Sequence, residues 1–123
     1  MKRILIIEDN EYMGRMYQNM LSLENFRVEL ATSGEEGIKR AQDNNPDLIL
    51  LDIIMPNLNG LQVLEKLKNN SQTKTIPVVI LTVVGEKEII DKALKLGAVG
   101  YIIKSSLNLD QLLQEIHSYL PKD

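Results

Sequence analysis

Residues 50–60 read LLDIIMPNLNG, and the apolar run that begins at Leu48 and ends at Met55 carries one carboxylate, that of Asp52. Burying an unpaired charge among apolar side chains costs several kcal/mol or forces the group to become neutral. The stretch therefore predicts a buried strand over 48–51 that ends at a carboxylate. Some other group has to compensate the charge of that carboxylate.

Short apolar runs of this kind alternate with segments of helical periodicity along the chain. Four further runs rich in β-branched residues lie at 3–7, 27–31, 77–82 and 100–103. Apolar residues between the runs recur at helical spacing, and in the first helix they are Met13, Met16, Tyr17, Met20 and Leu21. We expect the methionines of this stripe to pack in the core. Five strand–helix units without a hairpin signal predict an α/β fold with a five-stranded parallel, doubly wound sheet and five helices.

Composition limits the classes of function. The chain has 123 residues, which predicts a single domain over 1–123 with no effector domain. Its 14 basic residues are scattered and its net charge is -3, which argues against a nucleic-acid binder. The absence of Cys excludes disulfides and Cys-ligated zinc, and a single His leaves no histidine-rich metal site. No apolar run is long enough for a signal-peptide core or a membrane span, so we expect a cytoplasmic protein.

Polar residues stand at the carboxyl ends of four of the predicted strands. Glu8 and Asp9 follow the first strand, Asp52 the third and Lys104 the fifth, while Thr82 ends the fourth. Ligands of doubly wound sheets bind beyond the carboxyl ends of the strands, so these side chains are expected to converge. Three crowded carboxylates need a proton or a cation to relieve their repulsion, and Mg²⁺ binds carboxylates together with phosphate oxygens. A carboxylate in such a site can accept a phosphoryl group.

Together these motifs resemble the receiver domain of two-component response regulators. The motifs are Glu8-Asp9 after the first strand, the D-x-x-M-P-x-x-x-G pattern of LLDIIMPNLNG, Thr82 at the end of PVVILT, and GAVGYIIKS. The resemblance covers the whole chain. It implies a flavodoxin-like strand order, 2-1-3-4-5, and a phosphoacceptor domain that catalyses only its own phosphorylation and dephosphorylation.

The resemblance also implies a role for each matching residue. Asp52 would accept phosphate from the phosphohistidine of a sensor histidine kinase or a phosphotransfer protein. Glu8, Asp9, Asp52 and the backbone carbonyl of Ile54 would hold Mg²⁺. Thr82 and Lys104 would bind the phosphoryl oxygens, and Tyr101 would change rotamer on activation.

The resemblance further implies a downstream protein target, which the sequence does not name. A homodimer through helix 4, strand 5 and helix 5 is a second expectation. The charged residues of helix 4 are equally consistent with a solvated face.

The sequence departs from the family pattern at two positions near the site. Ser105 stands where proline usually follows the lysine, so we expect a trans loop that re-aims Lys104, or a strained one. Val83 stands where a small residue usually follows the threonine, and its bulk is expected to narrow access to Asp52.

Three rival functions are weaker. An aspartate-nucleophile phosphatase typically carries a second acid two residues after the nucleophile, whereas Ile54 occupies that position here. A receiver-like binding module that is never phosphorylated is favoured only by Ser105, Val83 and Val84. Flavin binding is disfavoured because the acidic EDNEYMG segment follows the first strand in place of a phosphate-binding loop.

Slow loss of the phosphoryl group is predicted from Ile54 and Val84, which lie two residues after Asp52 and Thr82 respectively. Polar side chains at these positions can orient an attacking water, and apolar ones cannot hydrogen-bond it. The decay of the aspartyl phosphate in Mg²⁺, followed by intact-protein mass after removal of the donor, measures this. A half-life of only seconds would contradict the prediction.

Overall fold

Five parallel strands form one sheet in the order β2-β1-β3-β4-β5, which confirms the predicted topology. The computed structural model describes residues 1–53, 59–82, 87–104 and 108–121. The strands are β1 (Arg3–Ile7), β2 (Arg27–Ala31), β3 (Leu48–Asp52), β4 (Val78–Thr82) and β5 (Gly100–Ile103). The helices are α1 (Glu11–Ser22), α2 (Gly34–Asn44), α3 (Gly60–Lys68), α4 (Lys87–Lys95) and α5 (Leu109–Tyr119). None of the helices in these described ranges has the length and apolar content that crossing a membrane requires.

Alternate side chains of the strands face two separate apolar cores. Leu5, Ile49 and Ile80 pack with residues of α2, α3 and α4 on one face of the sheet. On the other face, Ile6 and Leu50 pack with residues of α1 and α5. Every residue of β3 and β4 is buried, because helices cover both faces of the sheet. The carboxylate that ends β3 is therefore carried on the most enclosed part of the fold.

The α1 helix buries a narrower stripe than its sequence predicts. Its buried residues are Gly14, Tyr17 and Leu21. The expectation that the methionines pack in the core is wrong for Met16, which is 41% exposed, while Met13 and Met20 are only partly buried. Met16 lies at the edge of the apolar arc, where the helix surface turns away from the sheet.

Gly14 has a packing reason that the sequence did not reveal. A Cβ atom at this position would lie 2.5 Å from Cδ1 of Leu30 on β2. Glycine therefore lets α1 approach the edge strand closely, at the cost in helix propensity that glycine carries within a helix. At the start of α2, Ser33 is the N-cap, and its hydroxyl accepts from the Glu36 N–H at 3.1 Å.

Gly60 begins α3 at a close approach between two backbone segments. Its N–H donates to the Ile53 carbonyl at 3.0 Å. A Cβ atom on Gly60 would lie 2.5 Å from that carbonyl oxygen and 2.7 Å from the Asp52 carbonyl oxygen. Glycine thus fixes the start of α3 directly against the end of β3.

Gly60→Ala is expected to lower the free energy of unfolding by about 1–3 kcal/mol, because the added methyl group overlaps backbone atoms that cannot rotate away. Urea denaturation measures the change. The matched control is Gln62→Ala, an exposed position in the first turn of the same helix, where we expect a change within about 0.5 kcal/mol. Equal midpoints for Gly60→Ala and the wild type would show that the backbone tolerates the methyl group.

Candidate functional site

Strand register brings the acidic residues of β1 and β3 to one level of the sheet. Ile7 pairs with Leu51, so the next residues, Glu8 and Asp52, lie side by side at the carboxyl edge. The Glu8 N–H donates to the Ala31 carbonyl at 3.0 Å, which extends the β1 ladder by one residue. The predicted convergence of these two carboxylates is therefore a consequence of parallel pairing.

The neighbouring strands bring Thr82 and Lys104 to the same edge. Asp52 pairs with Leu81, which places Thr82 one residue beyond it on β4. The Lys104 N–H donates to the Thr82 carbonyl at 2.8 Å, so the lysine backbone continues the pairing of β5 with β4. This hydrogen bond holds the Lys104 backbone at the carboxyl end of β4, next to Thr82.

The ammonium group of Lys104 compensates the buried acids. Its Nζ lies 2.6 Å from Oε1 of Glu8 and 3.4 Å from Oδ1 of Asp52. The Glu8 side chain is only 1% exposed, and the lysine and Asp52 side chains are almost as enclosed. Such a pair gains strength from the low local dielectric, and removal of one partner would leave an uncompensated buried charge. Lys104 thus supplies part of the compensation that Asp52 requires.

Three carboxylates at this edge form a cluster that could hold a metal ion. Glu8, Asp9 and Asp52 each offer one oxygen, and the three oxygens lie within 4.8 Å of one another. Asp9 is partly exposed and therefore opens the cluster to solvent. When all are ionised, the three carboxylates outnumber the one ammonium group that Lys104 places among them.

The electrostatics of the cluster match this crowding. Burial, together with the neighbouring Asp52, raises the pKa of Glu8, although Lys104 opposes the shift. Burial and the neighbouring Glu8 raise the pKa of Asp9. Burial alone would lower the pKa of Lys104, but its contacts with Glu8 and Asp52 outweigh burial and raise it. Both carboxyl shifts have the direction that a divalent cation would relieve.

The donor set fits Mg²⁺ by its chemistry. All three ligating groups are carboxylates, which are the hard oxygen donors that Mg²⁺ prefers, and the cluster is open enough at Asp9 for water ligands. The predicted fourth ligand, the carbonyl of Ile54, lies outside the described residues. The same is true of Val83 and Ser105, where the sequence departs from the family pattern, and of Val84, on which the predicted slow loss of the phosphoryl group partly rests.

Tyr101 lies apart from the acidic cluster. Ile80 pairs with Tyr101 and Thr82 pairs with Ile103, so the tyrosine is two residues before the strand end. Its side chain is 43% exposed on the edge strand, whereas Thr82 is buried. The structure therefore brings Glu8, Asp9, Asp52, Thr82 and Lys104 to one edge and places Tyr101 at the outer surface beside it.

Tyr17 is a neighbour of the site, although the sequence indicates only that it belongs to the apolar stripe of the first helix. It is 6% exposed, and burial raises the pKa of its hydroxyl, with Lys104, Glu8 and Asp52 close enough to influence that pKa. The signal in the sequence was a hydroxyl group at a buried position of the apolar stripe. Periodicity alone cannot distinguish such a tyrosine from an ordinary core aromatic.

Comparison with known proteins agrees with this geometry. The response regulator ArlR of Staphylococcus saprophyticus is 35% identical over 122 residues, which cover 98% of this chain and 53% of that protein. The chain thus spans about half the length of the curated relatives it matches. The Vibrio cholerae chemotaxis protein CheY4 superposes with a TM-score of 0.91 at 28% identity, covering 98% of this chain and 99% of that one.

A CheY-like receiver domain protein from Methanospirillum hungatei gives a TM-score of 0.87 at 29% identity, covering 96% of this chain and 92% of that one. The family model described as "Response regulator receiver domain" matches residues 4–117. With the sheet order and the strand-end acids already in place, the chain belongs to the receiver domain family of two-component response regulators.

Proposed function

We propose that residues 1–123 act as a single receiver unit that accepts a phosphoryl group on Asp52 and does not act on other substrates. The observation that carries the proposal is the position of the Asp52 carboxylate. It lies beside Lys104 and within 4.8 Å of oxygens from Glu8 and Asp9. A carboxylate held among acids and one cation at the carboxyl edge of a doubly wound sheet is placed to react with a phosphoryl group.

Glu8, Asp9 and Asp52 would hold Mg²⁺, together with the Ile54 carbonyl that the family resemblance implies. A Mg²⁺ ion held by these residues would neutralise negative charge on the transferring phosphoryl oxygens. The buried Glu8 is already fixed by Lys104 and by the Asn10 N–H, which donates to Oε2 at 3.3 Å. These contacts hold its carboxylate in place before any cation binds.

In the proposed reaction, an Asp52 carboxylate oxygen attacks phosphorus while the bond from phosphorus to the donor nitrogen of a phosphohistidine breaks. The electron pair of that bond stays on the imidazole nitrogen of the donor. The product is an acyl phosphate that carries about -1.5 to -2 charge and new acceptor oxygens. The Lys104 ammonium and the Thr82 hydroxyl would donate to these oxygens.

Signalling would follow from the movement of Thr82 toward the phosphoryl group. Thr82 is buried at the end of β4, and Tyr101 lies partly exposed on the adjacent strand. Movement of the threonine would leave space for the tyrosine ring, and the surface of α4 and β5 would change. A partner can shift this equilibrium only by its difference in affinity for the two states.

The proposed partners are a sensor histidine kinase or phosphotransfer protein as donor and a downstream protein as target. Exposed apolar side chains of Leu94, Val99 and Tyr101 lie on α4, β5 and the loop between them. They support the expected homodimer through α4, β5 and α5, but they suit a different target equally well. The cytoplasmic location expected from the sequence also stays a prediction.

Asp9→Asn is expected to raise the melting temperature in EDTA at pH 7, because it removes one crowded carboxylate. The pKa of Asp9 is raised in the folded state, so the folded protein retains protons that the unfolded chain has released. The free energy of unfolding therefore falls as the pH rises from about 4 through the folded-state pKa, and the gain from Asp9→Asn grows over that window. Thermal unfolding monitored by circular dichroism at several pH values measures both effects.

Saturating Mg²⁺ should make the melting temperature of the wild type higher than that of Asp9→Asn, because the wild type gains binding free energy that the variant largely lacks. The matched control, Asp43→Asn, removes an exposed carboxylate on α2 and should respond to Mg²⁺ as the wild type does. An Asp9→Asn protein with an undiminished response to Mg²⁺ would count against the proposed metal site.

Incubation with acetyl phosphate and Mg²⁺ is expected to add a single phosphoryl group, detected as an intact-protein mass shift. Asp52→Asn and the addition of EDTA should each abolish the adduct, because one removes the nucleophile and the other the cation. Asp43→Asn should be phosphorylated as the wild type is. If neither acetyl phosphate nor a phosphohistidine donor yields an adduct, the chain is a binding module that is not phosphorylated.

A further inference from the structure

A cavity lies between α1 and α5 and is lined in part by Lys104. Its volume is about 200 Å³. The floor is formed by the buried side chains of Tyr17, Leu81, Ile102 and Leu112. The remaining described residues that line it are Met16, Met20, Ile103, Lys104 and Asn108. Exposed Met16 and Asn108 mark the opening to solvent.

The walls of this cavity are apolar and adaptable. Aliphatic side chains form most of the surface, and two flexible methionines stand on one side. Methionine fills irregular gaps and repacks around different shapes more easily than branched residues do. Small apolar cavities of ~150 Å³ are known to bind benzene, so the observed volume suits a molecule with one aromatic ring.

Tyr17 contributes a hydroxyl group, a hydrogen-bond donor, to the residues that line the cavity. The residue is 6% exposed, yet its hydroxyl forms no hydrogen bond with any residue in the described part of the chain. No fully enclosed side-chain oxygen or nitrogen in those ranges lacks a partner, so the hydroxyl retains some accessible surface. That accessible hydroxyl can hydrogen-bond to solvent in the cavity that Tyr17 lines, so an occupant that displaces the solvent is favoured if it accepts the same hydrogen bond.

The charge balance around the cavity favours a neutral occupant. Lys104 is the only charged residue among the lining residues that the structure describes, and its ammonium already contacts the carboxylates of Glu8 and Asp52. An anionic ligand would compete with two acids for that ammonium and would meet their repulsion. A neutral acceptor such as a carbonyl oxygen meets neither obstacle.

We propose that the cavity between α1 and α5 is a binding site for a small neutral aromatic molecule whose carbonyl oxygen accepts a hydrogen bond from the Tyr17 hydroxyl. The ring would pack among Met20, Ile102 and Leu112. This site is distinct from the proposed phosphoacceptor and does not depend on phosphorylation. Its occupant would nevertheless contact Lys104, the side chain on which phosphoryl binding is proposed to depend.

Two probes of the same shape separate the hydrogen bond from simple filling of space. Acetophenone carries the carbonyl acceptor, and α-methylstyrene replaces that oxygen with a CH₂ group. Each is titrated into the whole chain, labelled with ¹⁵N, and amide shifts are followed by two-dimensional NMR. We expect shifts centred on the lining residues and a Kd for acetophenone about three- to tenfold below that for α-methylstyrene, as one net hydrogen bond provides.

Tyr17→Phe should remove this discrimination while binding of α-methylstyrene persists, because only the hydroxyl is lost. Met16→Trp, which fills the opening from an exposed position, should weaken binding of both probes and keeps the test decisive if Tyr17→Phe does not fold. The proposal is overturned if neither probe binds the wild type, if the shifts lie elsewhere, or if Tyr17→Phe still prefers acetophenone. Undiminished binding to Met16→Trp would overturn it as well.

Discussion

The contact of the Lys104 ammonium with Glu8 and Asp52 is the interaction on which the rest of the site depends. It joins the last strand to the first across 96 residues of sequence and places a cation among three carboxylates. Without that cation, two nearly enclosed acids would lie side by side and lose the ion pairs that Lys104 forms with them. Either they would bind protons or the strand ends would separate. The ion pair therefore stabilises the carboxyl edge of the sheet in the absence of a metal.

Lys104 compensates only part of the negative charge of the carboxylate cluster, and the remaining charge determines which ligands the cluster favours. The pKa of Glu8 and the pKa of Asp9 both stay raised although the lysine is present. The remaining negative charge favours a divalent cation, and a bound cation would in turn loosen the hold of Glu8 on the lysine. The ammonium would then be available to an incoming phosphoryl group. A carboxylate cluster whose charge Lys104 compensates only in part is thus suited to exchange partners.

Much of the fold and most of the candidate site could be predicted from the sequence. The strands are recognisable as apolar runs, and the site residues end these runs or follow them directly. Alternating strands and helices, together with the family resemblance, indicate the parallel sheet order, and parallel pairing then brings Glu8, Asp52 and Thr82 to one edge. The same reasoning does not predict which side chains at that edge form ion pairs. No periodicity indicates that Lys104 lies closer to Glu8 than to Asp52, since that depends on how the side chain leaves β5.

The first helix shows a second limit of the sequence argument, and it bears on function. Met16 and Tyr17 both fit the apolar stripe, yet the helix rotates Tyr17 into the core and leaves Met16 at the surface. In this orientation Gly14 faces Leu30 of β2, where a Cβ atom would lie 2.5 Å from Cδ1 of that leucine. The same rotation sets a tyrosine hydroxyl beside Lys104 and a flexible methionine at the opening of the cavity. Lys104 thus contacts the acidic cluster and also lines an apolar cavity, so a ligand in either place would alter the surroundings of the same side chain.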